Sequence, residues 1–188
     1  MGQPVLTDDQ WARASQVDGW YTRPEADLLY ELATGAWCEI GCWKGRSTAV
    51  LALSGFPGWA VDWFRGSPEH TDVDTFQAFC DHMEGFDNVT VLRMRYQQAY
   101  PIVEGSLSLL HLDAEHSYRA TRDVFSLYAN KVQVGGHCVV HDAWSPTGSR
   151  DIEDSPWPGV TRFALELEKH PDWRLAASAD RSAAFRRL

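Results

Sequence analysis

Five short apolar runs, separated by stretches of helical pattern, constrain this chain more than any other feature. They span residues 37–40, 59–61, 89–93, 107–112 and 138–140. The fourth reads as a strand buried on both faces, which belongs inside a covered sheet. Between the runs lie helical segments at 22–34, 47–53, 71–83 and 118–131. In the first of these Pro24, Glu25 and Asp27 suit an opening turn, Leu28, Leu29 and Leu32 form an apolar stripe, and Gly35 stops it. A proline-bearing loop covers 145–158 and a helix 160–170. Two short strands are expected at 174–177 and 183–187, turned at 179–182. Strands alternating with helices give a mostly parallel sheet covered on both faces, an α/β three-layer sandwich of Rossmann-like type. Ligands in such folds bind at the carboxyl ends of the strands.

The bulk properties narrow the partners. With 188 residues the chain is expected to form one domain over 1–188, residues 1–21 being an N-terminal extension. The net charge of −9 works against nucleic acid or anionic lipid, which are bound through clustered Lys and Arg. No apolar run reaches membrane-spanning length, and the first residues lack the pattern of a secretory signal, so a cytoplasmic setting is expected. A small-molecule partner of little charge fits best, and a homo-oligomer stays open. Cys38 and Cys42 have no second metal-type pair, and they read, with Cys80 and Cys138, as reduced thiols. The tryptophans show no period and are read mostly as packing residues. Trp63 and Trp144 each follow a candidate site residue and are expected to wall a pocket.

Two of the strand ends carry a cofactor pattern. In CEIGCWKGRS, Gly41 and Gly45 permit a tight turn, and the next helix aims its free N–H groups at the same place. It is neither the three-glycine dinucleotide pattern nor a phosphate loop. An acidic group about 20 residues further on takes ribose hydroxyls in Rossmann-type sites, and Asp62 closes the second strand there. The plain alternative for Asp62 is a surface acid or a helix cap.

Two other strand ends carry a metal and catalytic pattern. LLHLDAEHSY ends its strand in Asp113, followed by Glu115 and His116; GGHCVVHDAW ends in His141 and Asp142. Neighbouring strands would bring Asp113, His141 and Asp142 to one rim. Carboxylates and an imidazole suit a divalent cation, which lowers the pKa of a bound hydroxyl. His116, with an ordinary pKa near neutrality, could accept the proton. Alternatively Asp113 caps the next helix and His141 pairs with Asp142 structurally. His111, His137, His70 and His82 are read as non-ligands.

From Trp37 to Leu188 the sequence resembles the class I methyltransferases, among them the macrocin-type and mycinamicin-type sugar O-methyltransferases and cephalosporin-biosynthesis enzymes. The likeness rests on EIGCWKGRST, AVDWFRG, LDAEHSY, GGHCVVHD and PGVTRF, in that order. It implies a seven-stranded sheet with an antiparallel last strand and a bound S-adenosylmethionine (SAM). Glu39, Gly41, Gly45 and Ser47 would surround its methionine part and Asp62 its ribose, with Asp113 beside it. In MRYQQAY no acidic residue is present, leaving Tyr96, Gln97 or Gln98 to read the adenine. The resemblance also implies a divalent metal, usually magnesium, on Asp113, His141 and Asp142, and His116 as general base. His141 stands where many relatives have a carboxylate, which admits manganese, iron or zinc. The short N-terminal segment would leave less protein over the acceptor, whose pocket is expected to be bordered by Trp144, Ser145 and the loop to Trp157.

These readings give a metal-assisted O-methyltransferase acting on a small hydroxylated molecule, a sugar or natural-product intermediate. The same site can work without metal. A metal-dependent hydrolase would need neither the glycine turn nor Asp62, and a non-catalytic SAM-binding module would not need the Asp113–His116 pair.

Overall fold

The computed structural model describes residues 5–67 and 71–188. His70 lies outside them. The strands are β1 (Trp37–Ile40), β2 (Gly58–Asp62), β3 (Val89–Arg93), β4 (Leu107–Leu112), β5 (Val132–Val140), β6 (Trp173–Ala179) and β7 (Ser182–Arg187). They form one sheet in the order β3-β2-β1-β4-β5-β7-β6. β7 runs antiparallel to both β5 and β6, and the pairs from β3 across to β5 are parallel. The expected seven-stranded Rossmann-like sheet is therefore the one observed.

Strand position follows from side-chain pattern. β1 and β4, at the centre, are buried at every residue, whereas β6 at one edge alternates buried or half-buried with exposed residues. Ser108 and His111 are the polar exceptions in β4, and both have hydrogen-bond partners. One face is covered by α1 (Asp8–Ser15), α2 (Arg23–Leu32), α3 (Arg46–Ala52) and α4 (Phe76–His82), whose Ala14, Leu29, Val50, Leu51 and Phe79 share a core. The other is covered by α5 (Tyr96–Ala99), α6 (Tyr118–Tyr128) and α7 (Pro158–Leu167), through Val124, Phe125, Phe163 and Leu167.

The chain lays β1, β2 and β3 outward in one direction and then crosses back to place β4 against β1. That reversal sends the helices after β1 and β4 to opposite faces and opens a crevice at the carboxyl ends of the strands.

Several boundaries differ from the sequence reading. α1 was not expected; Thr7 opens it with a capping box to Gln10, a signal present in the sequence. α4 starts only at Phe76, because the polar stretch before it supplies no apolar stripe. β5 begins at Val132, so Gly135 and Gly136 lie within it. The last three residues expected for the fourth helix, Ala129–Lys131, tighten into a 3-10 turn.

Candidate active site

A cavity of about 450 Å3 opens at the carboxyl ends of β1, β2, β4 and β5. That volume falls within the range of small-molecule sites. Its walls are of two kinds.

The wall at β1 and β2 is mostly backbone. Gly41 has φ +91°, and a Cβ there would stand 2.1 Å from the carbonyl oxygen of Asp113, so only glycine lets the two loops touch. Asp62 turns back on this loop. Its Oδ2 accepts from the backbone N–H groups of Cys42 (2.8 Å) and Trp43 (3.0 Å), and its Oδ1 from Phe64 (2.7 Å). Burial pushes its carboxyl up, while these N–H groups pull it back. Trp43 and Phe64 have φ of +51° and +57°, strained conformations for non-glycine residues. Tyr96 and Gln97 line the adjoining wall, whereas Gln98 turns back to cap α5 at the N–H of Arg95.

Glu39 does not reach the cavity. It is wholly buried and accepts from Ser47 Oγ (2.5 Å), Thr48 Oγ1 and, through its contact with His111 Nδ1 (2.9 Å), a third neighbour. It braces β1 against α3 and β4 from behind. Gly45 is likewise absent from the wall: it is the N-cap of α3 at φ +98°, against Phe79 and Met83. Ser47 does line the cavity.

The wall at β4 and β5 is built from charged side chains. Nδ1 of His141 lies 3.0 Å from Asp113 Oδ1 and 3.2 Å from Asp142 Oδ2. His116 Nε2 stands 3.3 Å from Asp142 Oδ2 and 4.0 Å from Asp113 Oδ1. Asp113 is not a helix cap; Ser117 caps α6. Asp142 has φ +54°, so this rim also stores backbone strain. Burial disfavours a charged His141, but the carboxylate of Asp113 outweighs it and the imidazole is raised well above its ordinary pKa. Asp113 and Asp142 are held low in turn, against their burial, by His141 and by the neighbouring imidazole of His116 respectively.

Among the described residues, Asp113, His141 and Asp142 form the group that could hold a metal, their donor atoms lying within 4.8 Å of one another. Their separations of 3.0 and 3.2 Å fit adjacent corners of an octahedron with bonds of about 2.1 Å, whose edge is about 3.0 Å. Charge agrees. Glu25 and Arg181 complete the cluster, so three carboxylates face one guanidinium, leaving two negative charges when the histidines are neutral. The donor set therefore fits a dication.

Residues 38–143 match the family described as Methyltransferase domain. The chain belongs to this family. The segment runs from β1 to just past β5 and contains the glycine turn, Asp62, Asp113, His116, His141 and Asp142. The fold is that of the class I methyltransferases. This methyltransferase is similar in structure to the O-methyltransferase TomG from Streptomyces achromogenes, solved with SAM (TM-score 0.70, 19% identity, 98% of this chain and 92% of that one). It is similar also to the SAH-bound Podospora anserina methyltransferase PaMTH1 (0.69, 14%, 99% and 90%). An O-methyltransferase from Bacillus cereus in complex with SAH matches at 0.64, 16% identity, 96% and 92%.

The residues expected to border an acceptor differ most from the sequence reading. Trp144 is core, 2% exposed, its Nε1 on Ser178 Oγ, and Ser145 is buried away from the cavity; neither borders it. The strand they follow turns them inward. Trp157 and Trp63 do line the cavity, and Trp157 stacks on the His116 ring at 4.2 Å. The N-terminal segment is no bare extension. Arg46 binds the carbonyls of Ser15, Val17 and Tyr21 and fixes the stretch that brings Trp20 and Tyr21 into the wall. Tyr21 stacks on His141 at 4.6 Å. Arg181, from the turn between β6 and β7, grips Asp142 Oδ1 at 3.1 Å and the Trp20 carbonyl at 2.5 Å. Nothing in the local sequence marks Arg181, because its role depends on where the hairpin lands. His111 and His82 are not at the rim; they bond Glu39 and the Lys44 carbonyl. The cysteines among the described residues are free. No helix among the described residues is long and apolar enough to cross a membrane.

Proposed function

We propose that this protein transfers a methyl group from SAM to a hydroxyl oxygen of a small molecule, a sugar or natural-product intermediate. Asp113, His141 and Asp142 would hold a divalent cation, magnesium or manganese before iron or zinc. The observation that carries the reading is the meeting of that triad and His116 on one side of a cavity whose other side is a glycine turn closed by an acid. Family membership supports methyl transfer over the hydrolase, and the SAM bound to TomG and the SAH bound to PaMTH1 support SAM as donor.

SAM brings an electrophilic methyl on sulfur, and a dication would lower the pKa of a neighbouring hydroxyl. The chain's own groups do the rest. The glycine turn at Gly41, which leaves room for a close approach, and the carboxylate of Asp62 would seat the donor, with Gln97 at the adenine. Asp113 borders both halves, so it would fix the acceptor oxygen relative to the methyl carbon. His116 Nε2, at the edge of the cation position, would take the hydroxyl proton as the oxygen–carbon bond forms and the sulfur–carbon bond breaks. Trp157, stacked on that ring, restricts its rotation. Trp20 and Tyr21 shield the site from water.

A second reading has its own observation. Protonated His141, facing carboxylates on both nitrogens, could stand where the cation would and leave methyl transfer metal-independent. The test is a panel of sugars, phenols and hydroxy acids incubated with SAM, with added magnesium or manganese or with a chelator, and read by mass spectrometry. Methylated product that needs the metal supports the first reading; product that persists in chelator supports the second; SAM that neither binds nor reacts contradicts both.

A further inference from the structure

Thr22 and Glu25 form a capping box at the start of α2: Glu25 Oε2 accepts from the N–H and the hydroxyl of Thr22 at 2.9 and 3.1 Å. A box of this kind closes a helix at the surface and asks nothing more of the acid. Glu25 is instead wholly buried. Its second oxygen, Oε1, is turned away from the helix. It accepts from Arg181 N (3.2 Å) and Ser182 Oγ (3.1 Å), and it lies 3.4 Å from Nε2 of His141. Nδ1 of the same ring faces Asp113 and Asp142. The ring therefore spans two carboxylate environments, and Tyr21 stacked on its face keeps it in that plane. Taking a carboxylate out of water is a cost that a helix cap does not require; Arg181 Nη2, 3.8 Å from Oε2, offsets part of it, and the imidazole at Oε1 is the partner that faces the site.

We propose that Glu25 is a positioning residue for the metal site. It receives the Nε2–H of His141 and so leaves the Nδ1 lone pair aimed at the cation position between Asp113 and Asp142. A carboxylate behind a ligating imidazole fixes its tautomer and raises its basicity, and its loss lowers metal affinity about 10–100-fold. Glu25 lies outside the segment that matches the family, so α2 and the hairpin turn supply the support that the matched segment lacks. The proposal rests on the metal reading above.

The experiment is calorimetric titration of manganese into the full chain saturated with S-adenosylhomocysteine (SAH). Glu25→Gln is expected to weaken manganese about 10–100-fold and to leave SAH affinity unchanged. Thr22→Ala breaks the cap but not the contact with His141, so it should lower the melting temperature and spare manganese. Equal manganese affinity in Glu25→Gln and wild type would overturn the proposal, as would equal losses in the two variants. A wild-type chain that binds SAH but no manganese would overturn the metal reading itself, and the role of Glu25 with it. One readout needs no folded variant: in the magnesium-loaded wild type, nitrogen-15 spectra should show His141 protonated at Nε2, and a proton at Nδ1 would overturn the assignment.

Discussion

The two walls of the cavity solve different problems with different materials. At β1 and β2 the wall is backbone, shaped by Gly41 and held by Asp62, and its buried acid Glu39 stays behind it as a brace. At β4 and β5 the wall is side chain: Asp113, His116, His141 and Asp142 face one another across 3.0 to 4.0 Å. A backbone wall can match the shape of a constant ligand and tolerates few changes of conformation. A side-chain wall stores charge, and its cost in water is met only by a cation or a proton. On the function proposed above, the division predicts that donor binding and proton handling are lost separately.

The sharpest way to break that division is at His116. His116→Ala should slow transfer about 100- to 10,000-fold while calorimetry finds SAH binding unaltered; an unchanged rate would remove His116 as base. Next is Asp62→Ala, expected to weaken SAH roughly tenfold to hundredfold, as for loss of a charged hydrogen-bond acceptor. Manganese binding should survive it, and a parallel loss would mean the walls are not separate. A smaller effect is expected from Glu39→Gln. It should lower stability by about 1–3 kcal/mol, since a buried hydrogen-bond set is mismatched, with SAH affinity little changed. If SAH binding collapses instead, Glu39 reaches the donor. Trp144→Phe should do least to function: about 2–3 kcal/mol of stability from the lost bond to Ser178 and the volume vacated in the core, and no change in acceptor KM.

The unequal walls also explain what the sequence could and could not reveal. The central strands were legible because a strand buried on both faces leaves a run of apolar residues, and the ends of those runs marked Asp62, Asp113, His141 and Asp142. Glycine spacing marked Gly41 for the same local reason. α1 was missed although Thr7 and Gln10 announce it, since it is eight residues long and mostly polar, with Asp8, Asp9, Gln10 and Arg13, and offers few apolar positions to count. Glu25 was visible only as an acid in a first helical turn. Arg181, Trp20 and Tyr21 enter the site through tertiary placement of a hairpin and a clamped loop, which no local pattern encodes. Trp144 fails for the converse reason: it lies two residues after Asp142 in sequence, yet the fold packs it into the core against Ser178.

The most direct measurement is calorimetric titration of SAH into the wild-type chain, followed by manganese into the saturated protein. Micromolar SAH binding and then a single manganese site are expected, the manganese site persisting in Asp62→Ala. No heat from SAH, with or without manganese, would contradict the donor wall and with it methyl transfer by this chain.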